Sequence, residues 1–599
     1  MKFGRHIKRD STAPSGPIGY SASVFPTSFF VRACAAIGIV ASSACVGTVP
    51  QGKPESPAAA QVFFALTGEM ALSRHEARLA ALQYTAAAQA NRDEALLRRA
   101  TDVTAECLQP SLTAGVAARW LSVDPAAVDA HRAAARAALE LHKIEQSATQ
   151  YREVLQSSPH GADAEFAVLE SEFASSDNVY GARQVADILA ADFPASLPAL
   201  RMQAFAAMRA DDPAAAVRTF QAAMAAPAPE EKPAAGAAPP AAEANRRELT
   251  QGLWRARILA GDMDEPLAQA KALVEGDETA DNRLDYVFLL VAAQQNSAAR
   301  SQLALLVDDA KARPLALRLL GLVDFQEDKL ADASAHFAEL TTTGKFLDDA
   351  YYYLGLIAER HSDMARALRL YLQVQSGDNA LSALLHAASI LRSNGAESAA
   401  EDLLDQLVGE EPQRAPEILV ARARIYSDAG DLSRALALLE KSRQEYPDSV
   451  QISYALASTA EERGDVSAAL RLLKEVAAQR PSDPAALNAY GYTLADHDQK
   501  LGAARQLIER AYAAAPKNAA ILDSMGWVLF RQRHGDQALP YLTEAYADDH
   551  DGDIAAHLGE VLWTLGRRED AERIWAEASR ADSQNHLLKA TQQRLHASK

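Results

Sequence analysis

Prolines recur along this chain at intervals of 34 or 35 residues, and this spacing restricts the fold more than any other feature of the sequence. Alanines and glycines repeat with nearly the same period. A period of roughly 20–50 residues indicates copies of one supersecondary unit, each of which must stack on its neighbours to bury an apolar face. The recurring residues are Pro125, Pro159 and Pro194; Pro412, Pro447, Pro481 and Pro516; Ala400, Ala435, Ala469, Ala504, Ala538 and Ala571; and two glycine series, Gly395, Gly430 and Gly464, then Gly491, Gly526 and Gly559.

Each unit is predicted to be a pair of antiparallel helices. In one unit Leu419, Ala423 and Tyr426 stand at positions i, i+4 and i+7, which would form one apolar stripe along a helix. Small residues such as Gly526 and Ala538 would let the two helices approach closely, and the recurring proline would end the second helix because proline cannot continue it. Both the period and these residues are those of the tetratricopeptide repeat.

The sequence therefore predicts an all-α fold, a superhelical solenoid of tetratricopeptide-type helix-turn-helix repeats, with about 15 hairpins between residues 61 and 584. Hydrophobic residues make up 49% of the 599 residues, and much of that share is alanine, the best helix former. Only 6% are aromatic and long β-branched runs are missing, which argues against a β-sandwich or barrel. The net charge of −19 argues against a nucleic-acid partner, since nucleic-acid binders present a basic surface.

The N-terminus has the pattern of an export signal. Residues 2–9 contain four basic side chains, and a short apolar run at residues 33–40 leads to small residues and then Cys45. A cysteine directly after small residues resembles the lipobox of bacterial lipoproteins, although Ser42 stands where those signals prefer Leu or Val. We predict a lipoprotein-type signal peptide at 1–44, lipidation at Cys45 and a flexible tether at 45–60. The alternative is a disordered tail on a cytoplasmic protein.

The remainder divides into two arrays of repeats. Residues 61–225 are predicted to form a degenerate N-terminal array and residues 243–584 a C-terminal array, followed by a tail at 585–599. Residues 226–242 between the arrays contain five prolines and no core residue, so they are predicted to be a linker or a long surface loop.

The chemistry-bearing motifs of enzymes are missing from this sequence. It contains no GxGxxG after a strand, no GxxxxGK[ST], no HExxH and no GxSxG, and its three cysteines lack zinc-site spacing. Because repeats account for every long segment, no stretch of roughly 100 residues is left for a catalytic domain. We predict a non-enzymatic protein with no catalytic residue, cofactor, metal site or small-molecule substrate.

The first helix of each hairpin lines the concave face of a tetratricopeptide superhelix. Residues beside the core stripe on those helices are predicted to form a groove that binds a protein partner. Aromatic rings would bury area there, while carboxylates and an amide would fix the register of a peptide. The alternative is that the two tryptophans fill gaps between helices. The predicted groove residues are Asn488, Tyr492, Asp523, Trp527, Glu560 and Trp563.

Three C-terminal stretches are more specific than a generic repeat: residues 488–494 (NAYGYTL), 521–528 (ILDSMGWV) and 556–563 (AHLGEVLW). With residues 68–72 (GEMAL) and 97–101 (LRRAT), they resemble a family of proteobacterial tetratricopeptide lipoproteins. One type in that family is the outer-membrane lipoprotein partner of a periplasmic carboxyl-terminal processing protease. It tethers and activates the protease and helps to deliver peptidoglycan hydrolases to it.

The resemblance implies an adaptor anchored by lipid in the outer membrane and facing the periplasm, with the protease and cell-wall hydrolases as partners. Val46 after the candidate lipidation site agrees with outer-membrane sorting, since an aspartate there would favour the inner membrane. A different role remains open: a tetratricopeptide scaffold subunit of an envelope polysaccharide export or assembly system.

Overall fold

The computed structural model describes residues 57–89, 91–225, 240–581 and 585–597, and within these ranges it contains 31 α-helices and no strand. The all-α prediction is confirmed. Residues 61–599 group into one compact unit. The predicted signal peptide 1–44, Cys45 and most of the predicted tether 45–60 lie outside the described residues.

Ten helices precede residue 226. They are α1 (Pro57–Leu72), α2 (Ala77–Gln89), α3 (Glu94–Glu106), α4 (Pro110–Val123), α5 (Val128–Glu140), α6 (Ile144–Ser157), α7 (Ala162–Ser175), α8 (Val179–Asp192), α9 (Leu197–Arg209) and α10 (Pro213–Ala225). The next helix begins at Pro240, so residues 240–242 of the predicted linker belong to a helix.

Eleven helices form the middle of the array. They are α11 (Pro240–Leu259), α12 (Asp264–Gly276), α13 (Ala280–Ala292), α14 (Asn296–Ala304), α15 (Arg313–Gln326), α16 (Leu330–Thr342), α17 (Leu347–Arg360), α18 (Met364–Tyr371), α19 (Ala380–Ser393), α20 (Glu397–Glu410) and α21 (Ala415–Asp428).

The last ten helices are α22 (Leu432–Glu445), α23 (Val450–Glu462), α24 (Val466–Gln479), α25 (Pro484–Asp496), α26 (Leu501–Ala514), α27 (Ala519–Arg531), α28 (Gly535–Asp548), α29 (Gly552–Thr564), α30 (Arg568–Ala581) and α31 (His586–Ala597). The segment 585–599, predicted to be a tail, therefore contains a helix, and that helix packs on α29. Helices α1 to α30 follow one another as 15 hairpins, in agreement with the predicted number.

The repeated small residues and prolines have the structural roles that their spacing predicts. Each of the seven recurring prolines stands two residues beyond the end of a second helix, as Pro447 does after α22. A Cβ added to Gly526 or Gly559 would collide with the side chain of Leu542 or Trp575 on the partner helix. Gly430, between α21 and α22, has a φ of +81°, which L-residues rarely adopt. Several helix starts carry a side-chain cap, such as Asp465 accepting from the N–H of Ala468 at 3.0 Å.

Successive hairpins of the N-terminal array lie against hairpins that come about ten repeats later in the chain. Four of the five pairs named below are 336 to 340 residues apart, close to ten periods of 34. Arg78 and Glu445 are 367 residues apart, and Gln451 Nε2 also donates to Asp177 Oδ2, 274 residues earlier, at 2.8 Å. The chain therefore completes about one superhelical turn and contacts itself. The contacts are Arg78 N–H to Glu445 Oε1 (2.7 Å), Gln109 Nε2 to the carbonyl of Glu445 (2.8 Å), Ser111 Oγ to Asp448 Oδ1 (2.9 Å), His142 Nε2 with Ser482 Oγ (3.0 Å) and Asn518 Nδ2 to Tyr180 Oη (3.1 Å).

This contact between turns is mainly polar. It is formed by the short connections between helices, where backbone groups and capping side chains are available, and Leu108 and Tyr180 supply apolar contacts at its two ends. Cys107 is buried beside it, and burial together with Glu106 and Glu445 raises the pKa of its thiol to about 11. None of the helices in the described ranges combines the length and apolar character that a bilayer-spanning segment needs.

Candidate protein-interaction site

The six residues predicted to form the groove lie on α25, α27 and α29, which are the first helices of three consecutive hairpins. The sequence analysis expected their side chains to be exposed along a groove. The structure instead buries all six, from 2% exposed for Asn488 to 9% for Tyr492, Glu560 and Trp563. These helices are enclosed on nearly every side, because 10 of 13 residues in α25 and 11 of 13 in α29 are buried. A role in binding a partner stays a prediction for these residues.

Tyr492, Asp523 and Trp527 meet at a histidine that the sequence analysis did not select, His557 on α29. His557 Nδ1 lies 2.9 Å from both carboxylate oxygens of Asp523, and Tyr492 Oη lies 3.4 Å from His557 Nε2. The imidazole stacks on the indole of Trp527, with ring centroids 4.0 Å apart and planes 20° apart. His557 follows Asp523 by 34 residues, whereas the helices that carry them begin 33 residues apart, at Ala519 and Gly552, so His557 stands one position beyond the equivalent of Asp523. A spacing close to the repeat period was the available signal for the pair.

The charges in this cluster shift its titration. Burial raises the pKa of Asp523. Burial alone would lower the pKa of His557, but the charge of Asp523 and the hydrogen bond to it together raise that pKa above its ordinary value. Burial also raises the pKa of Tyr492. The raised pKa of His557 favours its protonated form beside Asp523, and both side chains are buried.

Trp527 is also held from the side of α25. Its Nε1 donates to Asp496 Oδ1 at 3.0 Å, and the guanidinium of Arg531 lies 5.3 Å from the indole ring. Asp496 belongs to a set of three groups, with Glu461 and His497, whose ligand atoms lie within 4.8 Å of one another and could hold a divalent cation. His497 Nε2 is already paired with Glu461 Oε1 at 2.6 Å, so ion pairing alone accounts for this set.

Glu560 and Trp563 contact the end of the array. The carboxylate of Glu560 pairs with Arg594 of α31. The ring of Trp563 lies 5.6 Å from that of Trp575 on α30 and 5.4 Å from that of His596. Trp527 and Trp563 therefore fill spaces between helices, which was the alternative interpretation of these two residues.

Asn488 differs from the other five residues because its polar group is not fully satisfied. Its Nδ2 lies 3.5 Å from the carbonyl of Ala520, and within the described part of the chain its buried Oδ1 has no hydrogen-bond donor. A buried polar atom without a partner costs roughly 1–3 kcal/mol. Because Asn488 is 2% exposed, a partner could reach this atom only if the neighbouring helices moved, so recognition through Asn488 stays a prediction.

Comparison with known proteins supports the repeat assignment. Residues 426–491 and 524–586 match two family models, each described as the tetratricopeptide repeat, so these segments are tetratricopeptide repeats. Over 214 residues the chain is 36% identical to the TPR repeat-containing protein PA4667 of Pseudomonas aeruginosa. That match covers 36% of this chain and 36% of the relative.

Two solved structures of helical-repeat proteins match the chain at low sequence identity. A thermophilic TPR protein of Thermus thermophilus is 22% identical, with a TM-score of 0.27, over 31% of this chain and 98% of that one. Yeast Tom70 is 12% identical, with a TM-score of 0.37, over 88% of this chain and 98% of that one.

Proposed function

We propose that this tetratricopeptide-repeat protein is a non-enzymatic adaptor that is anchored by lipid in the outer membrane and faces the periplasm. It would bind a periplasmic carboxyl-terminal processing protease and help to deliver peptidoglycan hydrolases to it. Such an adaptor acts by raising the effective concentration of its partners, which requires binding surfaces and an anchor but no catalytic group.

The observation that carries this proposal is the continuity of the repeats. From residue 57 to residue 597, the described chain consists of helical hairpins and one final helix. Stacked hairpins offer an extended surface on which several side chains can contact a protein at once. The repeats indicate that the chain binds proteins, and the choice of protease and hydrolases is supported by the resemblance of residues 488–494, 521–528 and 556–563 to the lipoprotein family.

The net negative charge of the chain favours partners that have basic surfaces. The chain has 79 acidic and 60 basic side chains. A net negative protein attracts basic patches at long range, and salt screens this attraction over about 8 Å at physiological ionic strength. Binding of the protease or the hydrolases is therefore expected to weaken as salt concentration rises.

The test is affinity purification of the tagged full-length protein from detergent-solubilised envelopes, with partners identified by mass spectrometry. The proposal expects a carboxyl-terminal processing protease and cell-wall hydrolases in the eluate. If the protease is missing and polysaccharide-export proteins are present, the adaptor role is wrong and the repeat array serves another system.

Asn488→Leu, run in parallel, tests the binding site separately. Leucine has nearly the shape of asparagine without its polar atoms. The variant should therefore fold, but the protease should no longer co-purify with it. The matched control is Thr493→Val on the same helix, which removes another buried polar group that has no hydrogen-bond partner within the described residues. If Asn488→Leu recovers as much protease as Thr493→Val, Asn488 does not contact it, while the adaptor role itself is unaffected.

A further inference from the structure

The first helix of the array presents an apolar stripe to solvent. Val62, Leu66 and Met70 stand at i, i+4 and i+8 on α1 and are 47%, 47% and 43% exposed. This spacing places the three side chains on one face of the helix. The opposite face is used inside the hairpin, where Gly68 lies against the ring of Tyr84 and Ala71 is buried.

An exposed apolar stripe is unusual at this position, because the terminal units of repeat arrays ordinarily have a polar outer face. The described residues include 13 large apolar side chains that are exposed, and five of them belong to the first hairpin. These five are the three of the stripe together with Leu79 and Leu82. Glu69 is the only ionisable residue in α1, and its carboxylate is paired with Arg99 at 3.1 Å and accepts a hydrogen bond from Tyr84. The helix therefore has no free charge that would oppose contact with an apolar phase.

We propose that this stripe of Val62, Leu66 and Met70 lies in the lipid surface to which the protein is anchored. The inference rests on the proposed lipidation of Cys45. Only 11 residues separate Cys45 from Pro57, and an extended chain spans at most about 3.6 Å per residue, so a lipid on Cys45 would hold α1 within about 40 Å of the bilayer. At that distance a weak apolar contact suffices, because the anchor supplies a high effective concentration.

Charge also favours this end of the molecule at a membrane. In residues 61–89, Arg74 and Arg78 balance Glu69 and Glu76, so the first hairpin is neutral in a chain with a net charge of −19. Bacterial membranes expose anionic lipids, which repel acidic surfaces and leave a neutral apolar face free to enter the interface.

A second copy of the chain is the weaker alternative occupant. Stable interfaces bury about 800 Å² on each partner, which three half-exposed side chains on one helix do not supply. A membrane requires no complementary shape, and an apolar helix face enters its headgroup region to about 5–10 Å.

Co-flotation with vesicles tests the proposal. The protein used is residues 46–599, which lacks the lipid acceptor but retains the whole compact unit. The vesicles contain phosphatidylethanolamine and phosphatidylglycerol. The variant is Val62→Asp/Leu66→Asp/Met70→Asp, and the matched control is Val168→Asp/Met224→Asp/Leu273→Asp, which alters three equally exposed apolar side chains on α7, α10 and α12. Circular dichroism and thermal unfolding check that both variants fold.

The expected result is that the unsubstituted protein floats with vesicles, that the α1 variant binds at least tenfold less, and that the control variant binds as the unsubstituted protein does. The proposal would be overturned if the α1 variant bound vesicles as well as the unsubstituted protein, or if the control variant lost as much binding as the α1 variant. A concentration-dependent dimer that is abolished only in the α1 variant would also overturn it. Purification of the protease with a lipidated protein that shows no vesicle contact through α1 would overturn this inference and leave the adaptor function standing.

Discussion

His557 Nδ1 lies 2.9 Å from both carboxylate oxygens of Asp523, and the two residues stand on the first helices of adjacent hairpins. His557 is 2% exposed and Asp523 is 6% exposed, so this ion pair is located inside the array. It joins α27 to α29 at the point where Trp527 and Tyr492 also meet. The stacking of the last hairpins therefore depends on a buried charge that has one suitable partner.

Removal of that partner is expected to be costly. His557→Ala would leave the carboxylate of Asp523 buried and unpaired, which destabilises a protein by about 3–5 kcal/mol. The control is Arg443→Ala, because Arg443 pairs with Glu475 at 2.6 Å on the surface and such pairs contribute about 0–1 kcal/mol. Urea unfolding followed by tryptophan fluorescence measures both, since three of the five tryptophans lie in the last hairpins. If the two substitutions lowered the free energy of unfolding equally, the buried pair would contribute no more to stability than a surface pair.

The same pair predicts a pH dependence. The folded state raises the pKa of His557 above its unfolded value of about 6.5, so the pair's contribution is fully present below pH 6.5 and is lost as pH rises through the folded pKa. The reference is the double variant Asp523→Asn/His557→Gln, which cannot titrate at this site. Urea midpoints from pH 6 to 9 should show the advantage of the unsubstituted protein shrinking with rising pH. An advantage that is constant or grows over this range would contradict the assignment of the charge.

Close packing of the helices predicts opposite outcomes for two glycines. Gly559→Ala would force a Cβ into the buried indole of Trp575, and overpacking of this kind costs about 1–3 kcal/mol or more. Gly115, in the interior of α4, has no atom within 4 Å of its added Cβ, so Gly115→Ala should stabilise the protein by about 0.5–1 kcal/mol through helix propensity. Thermal unfolding of the two variants measures both effects. Destabilisation by both substitutions would mean that helix contact is not what selects glycine at position 559.

The contact between superhelical turns can be tested by cross-linking. Ser111 Oγ lies 2.9 Å from Asp448 Oδ1, although the residues are 337 positions apart. In residues 46–599, which exclude Cys34 and Cys45, and in a Cys107→Ser background, Ser111→Cys/Asp448→Cys should react with a short bismaleimide to give an internally linked chain. Ser122→Cys/Asp448→Cys is the control, because Ser122 lies on the same helix, about 16 Å farther along it. Cross-linking at the same rate in both variants, or in neither, would show that the turns do not contact in solution as they do here.

The hairpins could be predicted from sequence because their determinants are local. Pro447 follows its helix by two residues, and Gly526 and Gly559 stand where a partner helix approaches, so one repeat contains most of the information needed to recognise the next. Small changes within a repeat do not alter this pattern, which is why the number of hairpins and the all-α fold followed from spacing alone.

The environment of the candidate site could not be predicted in the same way. Whether Trp527 faces an open groove or an enclosed interior depends on superhelical curvature, which is the accumulated result of small rotations between repeats. Curvature also decides that Ser111 meets Asp448, and no local pattern specifies it. The His557–Asp523 pair is different, since a carboxylate and an imidazole spaced by 34 residues, close to one repeat period, were visible in the sequence.

The measurement that tests the adaptor function most directly is the rate at which a periplasmic carboxyl-terminal processing protease degrades a peptidoglycan hydrolase, with and without this protein. The adaptor function predicts faster degradation when the protein is added, a smaller increase at high salt, and a smaller increase with Asn488→Leu than with Thr493→Val. A rate that is unchanged by addition of the protein at any salt concentration would contradict it.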